Sequence, residues 1–302
     1  MLYPQSDCPD FAQRPDAPLA KDESFHPKGR MSELPDSTSN QIGFDLPFMI
    51  QGSGSQGFGS QRLGAGLHGW LSLVPADLDW LTAQSSLFLT PAELDIFLSA
   101  PHRARQHSLL MGRYAAKRAV RALWPDRSWQ DCAIQSGPLG EPLCVGDDLP
   151  ELTLSLSHCD TLALAAILPQ DYRLGVDVEC LRPDLVESLA SHSPDREIAL
   201  IPPELDWSLG QKMLALWCLK EALAKALKKG FTLPFDQFDI SDLTFDQDWL
   251  QARFTNLPGY QAQCLWTHQH CLALAFAQPG TLLIDTHALC RLLAALEQSQ
   301  AR

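Results

Sequence analysis

From Trp70 onward, alternation and helical periodicity divide the chain into readable segments. Leu152-Thr153-Leu154-Ser155-Leu156-Ser157 puts leucines on one side and hydroxyls on the other, the period of a half-buried strand. Thr161–Leu168 (TLALAAIL) is continuously apolar and predicts a more deeply buried strand, joined to the first by the tight connection His158-Cys159-Asp160. Leu174–Glu179 predicts a third strand, and Phe238–Leu243, Trp249–Phe254 and Gln261–Phe276 predict more. Thr90-Pro91-Ala92-Glu93 starts a helix, with Thr as cap, Pro in the first turn and Glu three residues on. Further helices are predicted over Ala104–Leu123, over Gln211–Lys229 with Gly230 as the stop, and over the amphipathic THALCRLLAALEQSQA at the end.

This order is α+β, without regular β-α alternation. Helix-then-strands recurs loosely in each half, which fits two similar α+β subdomains over residues 67–172 and 173–302. Residues 1–66 are rich in Pro, Ser, Gly, Gln and Asp and read as a flexible N-terminal extension. Its one apolar patch, Phe44–Ile50, is read as either a short docking segment or, more simply, a local feature with no specific role.

Composition narrows the function classes. The 302 residues suffice for a sizeable core, and 45% hydrophobic with 20% charged content is globular. A formal net charge of −13 argues against general nucleic-acid binding. The nine cysteines form no C-x-x-C pair, so neither a disulfide framework nor a zinc site is expected. With no signal-like start and no apolar run of transmembrane length, a cytoplasmic monomer without membrane contact is expected. Against this acidity, RARQHSLLMGRYAAKRAV is strongly basic; Arg103, Arg105, Arg113, Lys117 and Arg118 form either a solvated face or an anion-binding one.

Three places carry candidate chemistry. In Gly175-Val176-Asp177-Val178-Glu179 the carboxylates are two apart, so on a strand they share a face about 6–7 Å apart. Such a pair either faces solvent or holds a hard divalent cation between its oxygens. In WCLKEALAKALKKG (217–230), Leu216, Leu219, Leu223 and Leu227 form the core stripe, and Trp217, Glu221, Lys225 and Lys228 form another. Glu221 and Lys225 are then either an i,i+4 ion pair or a third metal carboxylate beside a phosphate-binding lysine. Ser157-His158, at a strand end, offers hydrogen-bond donors to an anion.

Together, SLSHC (155–159), GVDVE (175–179) and WCLKEALAKALKKG (217–230) resemble the 4′-phosphopantetheinyl transferase superfamily, in its long surfactin-type class. The resemblance covers roughly Leu87 to Pro258, and Gly112–Arg118 is similar in character to the family's first basic helix. It implies two α+β subdomains with coenzyme A between them. It also implies transfer of the phosphopantetheine arm to a serine of an acyl or peptidyl carrier protein. By position, Asp177, Glu179 and Glu221 become ligands of Mg²⁺, with Mn²⁺ as an alternative, and Glu221 also the base for the carrier serine. Lys225 would hold phosphates and assist the leaving group; Ser157, His158 and Lys220 would contact phosphates. Arg103 or Arg105, with Arg113, would serve the nucleotide end. The family's G-K-P turn corresponds to Gly140-Glu141-Pro142, where Glu replaces the usual Lys and leaves backbone contacts from Gly140 and Pro142.

Two rivals stand beside this reading. One is another Mg²⁺-dependent enzyme acting on a phosphate or nucleotide. The other is an inactive carrier-binding protein that keeps the fold.

Overall fold

A computed structural model describes residues 42–51, 66–228, 233–267 and 269–300. The first half contains β1 (Phe44–Gln51), β2 (Leu67–Pro75), α1 (Leu78–Ala83), α2 (Ser85–Phe88), α3 (Pro91–Leu98), α4 (Arg103–Leu123), β3 (Ala133–Ser136), β4 (Pro142–Val145), β5 (Thr153–His158) and β6 (Leu162–Leu168). The second contains β7 (Leu174–Cys180), α5 (Pro183–Leu189), α6 (Asp195–Ile198), α7 (Leu209–Ala226), β8 (Ile240–Asp246), β9 (Trp249–Phe254), β10 (Tyr260–Trp266) and β11 (His270–Ala277). The chain then finishes with β12 (Thr281–Ile284) and α8 (Thr286–Gln300).

The strands build two antiparallel five-stranded sheets, ordered β12-β1-β2-β6-β5 and β7-β11-β10-β9-β8, and a separate β3-β4 hairpin. Alternation fixes what each face covers. Leu71, Leu73, Leu164 and Ala166 of the first sheet meet Val176, Val178, Leu272 and Leu274 of the second in a shared central core. Val74, Ala163 and Ala165 turn the other way, onto α4. Cys271, Ala273 and Ala275 turn onto α7. The order of layers is therefore helix, sheet, sheet, helix. β6 is buried along its whole length, which explains its uninterrupted apolar sequence.

The two halves repeat one plan. β2-β6-β5 under α4 corresponds to β7-β11-β10 under α7. Each helix is pinned by a buried lysine. Lys117 Nζ lies 2.6 Å from Glu93 Oε2, while Glu93 Oε1 accepts the Ile134 N–H at 2.7 Å. Lys220 Nζ lies 2.6 Å from Glu197 Oε2, while Glu197 Oε1 accepts the Ile240 N–H at 3.1 Å. In both halves a carboxylate thus ties the central helix to the strand region that follows it. The expected two-subdomain α+β architecture is observed.

Three expectations are corrected. Phe44–Gln51 does not belong to a flexible extension: it is β1, paired with β2 and β12, and its Phe48 and Ile50 are fully buried. Gln261–Phe276 is two strands, β10 and β11, joined by a reversal. The C-terminal segment also does not stay with its own half, because β12 joins β1 in the first sheet and α8 packs on β1 and β2. The remainder of the expected extension, residues 1–41 and 52–65, and the Lys229-Gly230 helix end lie outside the described residues.

Candidate active site

The site forms where the halves meet. β5 and β7 run side by side: Ser155 Oγ accepts the Val176 N–H at 3.0 Å, and Thr153 Oγ1 donates to the Tyr172 carbonyl at 2.8 Å. On β7, Val176 and Val178 point into the central core, so Asp177 and Glu179 face α7. Gly175 lets the helix approach: a Cβ there would run into the Ala222 carbonyl oxygen and the Ala226 nitrogen. That approach brings Lys225 onto the carboxylate strand.

Lys225 Nζ donates to Asp177 Oδ1 at 2.7 Å and to Ser157 Oγ at 2.8 Å. Ser157 Oγ in turn donates to Asp177 Oδ1 at 2.7 Å. One aspartate oxygen is therefore shared by a serine and an ammonium, whereas the other, Oδ2, is buried without a hydrogen-bond partner. An orphan carboxylate oxygen at 2% residue exposure is costly unless a cation or donor meets it.

The charges are arranged in the same sense. Burial, followed by Asp177 and then Glu221, pushes the Glu179 carboxyl up to about 7 despite the opposing pull of Lys225. Burial pushes Glu221 up to about 7 as well, with Asp177 adding and Lys225 opposing. Desolvation draws the Lys225 ammonium down, but Asp177, Glu221 and Glu179 outweigh it and leave its pKa above the ordinary lysine value. Three carboxylates thus crowd one cation and have room electrostatically for a second. Among the described residues, no three His, Cys, Asp or Glu side chains converge closely enough to enclose an ion. The donor set fits a hard cation that takes one or two carboxylates from the protein and its other oxygens from a phosphate substrate, as Mg²⁺ commonly does.

The anion side continues along β5 and α4. His158 Nε2 is 2.8 Å from Ser108 Oγ. Partial desolvation, then Lys225 and His107, hold the His158 pKa below that of an ordinary histidine. His107 is lowered in turn by burial and by Arg103, and its Nε2 is buried without a hydrogen-bond partner. Ser108 and His107 were not singled out from sequence, although both stand inside the conspicuous basic run.

The arginines separate. Arg105 is exposed, and its charge contributes to lowering the pKa of Arg113, mainly depressed by burial. Arg103 makes an exposed pair with Asp79 at 3.5 Å. Arg113 turns inward, its Nε 3.7 Å from Glu93 Oε1. Gly140 takes φ +85° in the turn of the β3-β4 hairpin, ahead of Pro142. There Glu141 bends back to accept the Leu139 N–H at 2.9 Å, so this carboxylate is engaged within its own turn.

Lys220 requires a correction. It was expected to touch phosphate, yet it is fully buried against Glu197, with Nζ 4.5 Å from the Phe235 ring centroid. Its position on the core side of α7 makes it part of the scaffold and removes it from the site.

With this geometry in hand, comparison with known proteins is decisive at one point: residues 173–277 match the family model for the 4′-phosphopantetheinyl transferase superfamily. This part of the chain is similar to that superfamily. The matched residues include Asp177, Glu179, Glu221 and Lys225. No curated protein matches the chain. Among solved structures, a holo-(acyl-carrier-protein) synthase from Bacillus anthracis in complex with CoA (3′,5′-ADP) is similar at 19% identity and a TM-score of 0.29, over 40% of this chain and 96% of that one. Among the described residues, no helix is long and apolar enough to cross a membrane.

Proposed function

We propose that this chain is a phosphopantetheinyl transferase of the long, two-subdomain class, moving the 4′-phosphopantetheine group of coenzyme A onto a serine of an acyl or peptidyl carrier protein. The observation that carries the reading is the Ser157–Asp177–Lys225 triangle with its free aspartate oxygen, set beside two carboxyls held near neutrality.

In this reading a divalent cation, Mg²⁺ or Mn²⁺, would be held by one or two carboxylates drawn from Asp177, Glu179 and Glu221. When bound, that cation supplies charge neutralisation for the pyrophosphate. The chain's own groups do the rest. Glu221 would remove the proton from the carrier serine; in the metal-free chain burial raises its carboxyl to about 7, toward the working pH where a base is most effective. The serine oxygen bonds to the phosphorus that carries the pantetheine arm, and the bond to the adenosine-side phosphate breaks. Lys225 remains protonated throughout and meets the negative charge that develops on the leaving adenosine 3′,5′-bisphosphate. His158, steadied by Ser108, offers a donor to the phosphates, and Ser157 joins it only by turning its hydroxyl away from Asp177. The exposed Arg105 extends the cationic side towards the nucleotide, and the half-buried His107 adds a ring nitrogen without a partner.

Calorimetric titration with coenzyme A, with and without Mg²⁺, tests the binding half of the reading. Binding that strengthens with Mg²⁺ and weakens in Asp177→Asn supports it. Absence of coenzyme A binding under both conditions overturns it.

A further inference from the structure

A second chemical cluster lies outside the transferase carboxylates, on the connection that follows β5. Cys159 is half-buried, and its Sγ is 3.4 Å from Thr161 Oγ1. Thr161 Oγ1 is 2.6 Å from His270 Nε2. His270 Nδ1 is 2.8 Å from Glu297 Oε1, and both residues are buried. Glu297 is itself fixed by the Gln269 N–H at 3.2 Å and by the Thr267 hydroxyl. Thiol, hydroxyl, imidazole and carboxylate therefore stand in one hydrogen-bonded row, drawn from β5–β6, β11 and α8. A nucleophile, a base and a group orienting the base is the arrangement that activates cysteine thiols.

The transferase reading uses none of these residues. We propose that Cys159 is a reactive thiol, a modification site that takes small peroxides, with Thr161, His270 and Glu297 as its proton relay. The Cys159 thiol passes its proton to His270, and Glu297 stabilises the imidazolium. The thiolate sulfur then bonds to one peroxide oxygen as the O–O bond breaks. The departing hydroxide takes the imidazolium proton and leaves as water. Sulfur is oxidised by two electrons to the sulfenic acid, the peroxide is reduced, and His270 returns to neutral.

The local charges agree with this direction. Burial alone would raise the Cys159 thiol, but bonds from His270 and Thr161 bring it below an ordinary thiol. Burial alone would lower His270, but Cys159 and Glu297 raise it. Among the other described cysteines, Cys132 is also lowered, by its hydrogen bond with the neighbouring Cys144 thiol, but most of the rest differ. Burial pushes Cys218 and Cys271 far up, and burial raises Cys180 and Cys290 as well. At pH 7 a thiol with an ordinary pKa of about 8.5 is only about 3% ionised, so a thiol lowered by its neighbours is more ionised and reacts faster.

The test is competitive labelling of the full native chain at pH 7 with limiting iodoacetamide, read peptide by peptide by mass spectrometry. Cys159 is expected to label about tenfold faster than the half-buried Cys144, Cys180 and Cys290 of the same molecule. This needs no variant and so does not depend on one folding. His270→Gln and Thr161→Val are then expected to slow Cys159 specifically. After one equivalent of hydrogen peroxide, dimedone is expected to trap a sulfenic acid at Cys159. Labelling of Cys159 no faster than those three thiols, an unchanged rate in a folded His270→Gln variant, or no dimedone adduct would each overturn the assignment.

Discussion

The two halves of this molecule share a scaffold and differ at two matched positions with large consequences. In each, a buried lysine on the central helix is locked to a glutamate, Lys117 to Glu93 and Lys220 to Glu197. The next residue is Arg118 in the first half and Glu221 in the second. Arg118 reaches Asp45 of β1 at 2.6 Å and the Ile42 carbonyl at 2.9 Å, so that position binds an additional strand to the sheet. Glu221 instead joins Asp177 and Glu179 around Lys225. The strands diverge in the same way. Superposing Leu162-Ala163-Leu164-Ala165 on Leu272-Ala273-Leu274-Ala275 places Val74, opposite Ala163, where Asp177 stands opposite Ala273. Val74 packs under α4, whereas Asp177 keeps an oxygen free under α7. One half completes its sheet and core with the positions that the other half devotes to charge.

This contrast is breakable at several points. The largest effect is expected at the carboxylates: Asp177→Asn or Glu221→Gln lowers transfer to a carrier protein by roughly 10²–10⁴-fold. Arg118→Gln, at the matching position of the other half, changes stability and leaves the rate per folded molecule within a few-fold. Equal losses of rate from both halves would dissolve the distinction.

Next come the clamps. Lys117→Met and Lys220→Met each strand a buried carboxylate and are expected to destabilise by about 3–5 kcal/mol in chemical denaturation. Folded Lys220→Met retains transfer. A large rate loss with unchanged stability would return Lys220 to the site.

Ile50→Ala is expected to cost about 2–5 kcal/mol, because β1 is core. A loose extension would lose nothing.

The smallest effect is electrostatic. Glu179 and Glu221 have folded pKa values of about 7, above the ordinary 4.5. The folded state therefore binds these protons more tightly than the unfolded one. Their stabilisation is full below pH 4.5 and is lost as pH rises through 7. In chelator, thermal melts are expected to fall across that window, and Mg²⁺ to recover part of the loss. A rise in stability across it contradicts the crowded-carboxylate picture.

Much of this was legible in the sequence, and the misreadings have physical causes. Strand alternation located β5 and β7, and the site carboxylates followed from it. Lys220 was misassigned although the helical period held the answer. At about 100° per residue it sits only about 40° from Leu216, inside the core stripe, and Lys117 lies as close to Leu110 on α4. Phe44, Leu46, Phe48 and Ile50 alternate as a strand should, but the Pro-, Ser- and Gly-rich surroundings dominated the reading. Whether the strand had a partner was not local information, since β12 arrives from more than 200 residues away. The Cys159–His270–Glu297 row joins residues so distant in sequence that no spacing marks it.

The central claim is that the charged half performs phosphopantetheinyl transfer and that Glu221 takes the serine proton. The most direct measurement is the intact mass of a purified apo carrier protein after incubation with this chain, coenzyme A and Mg²⁺, run in parallel with Glu221→Gln. The account predicts a gain of one phosphopantetheine group with the native chain, and little or none with a folded Glu221→Gln. No gain with several unrelated carriers, or an equal gain with the variant, would contradict it.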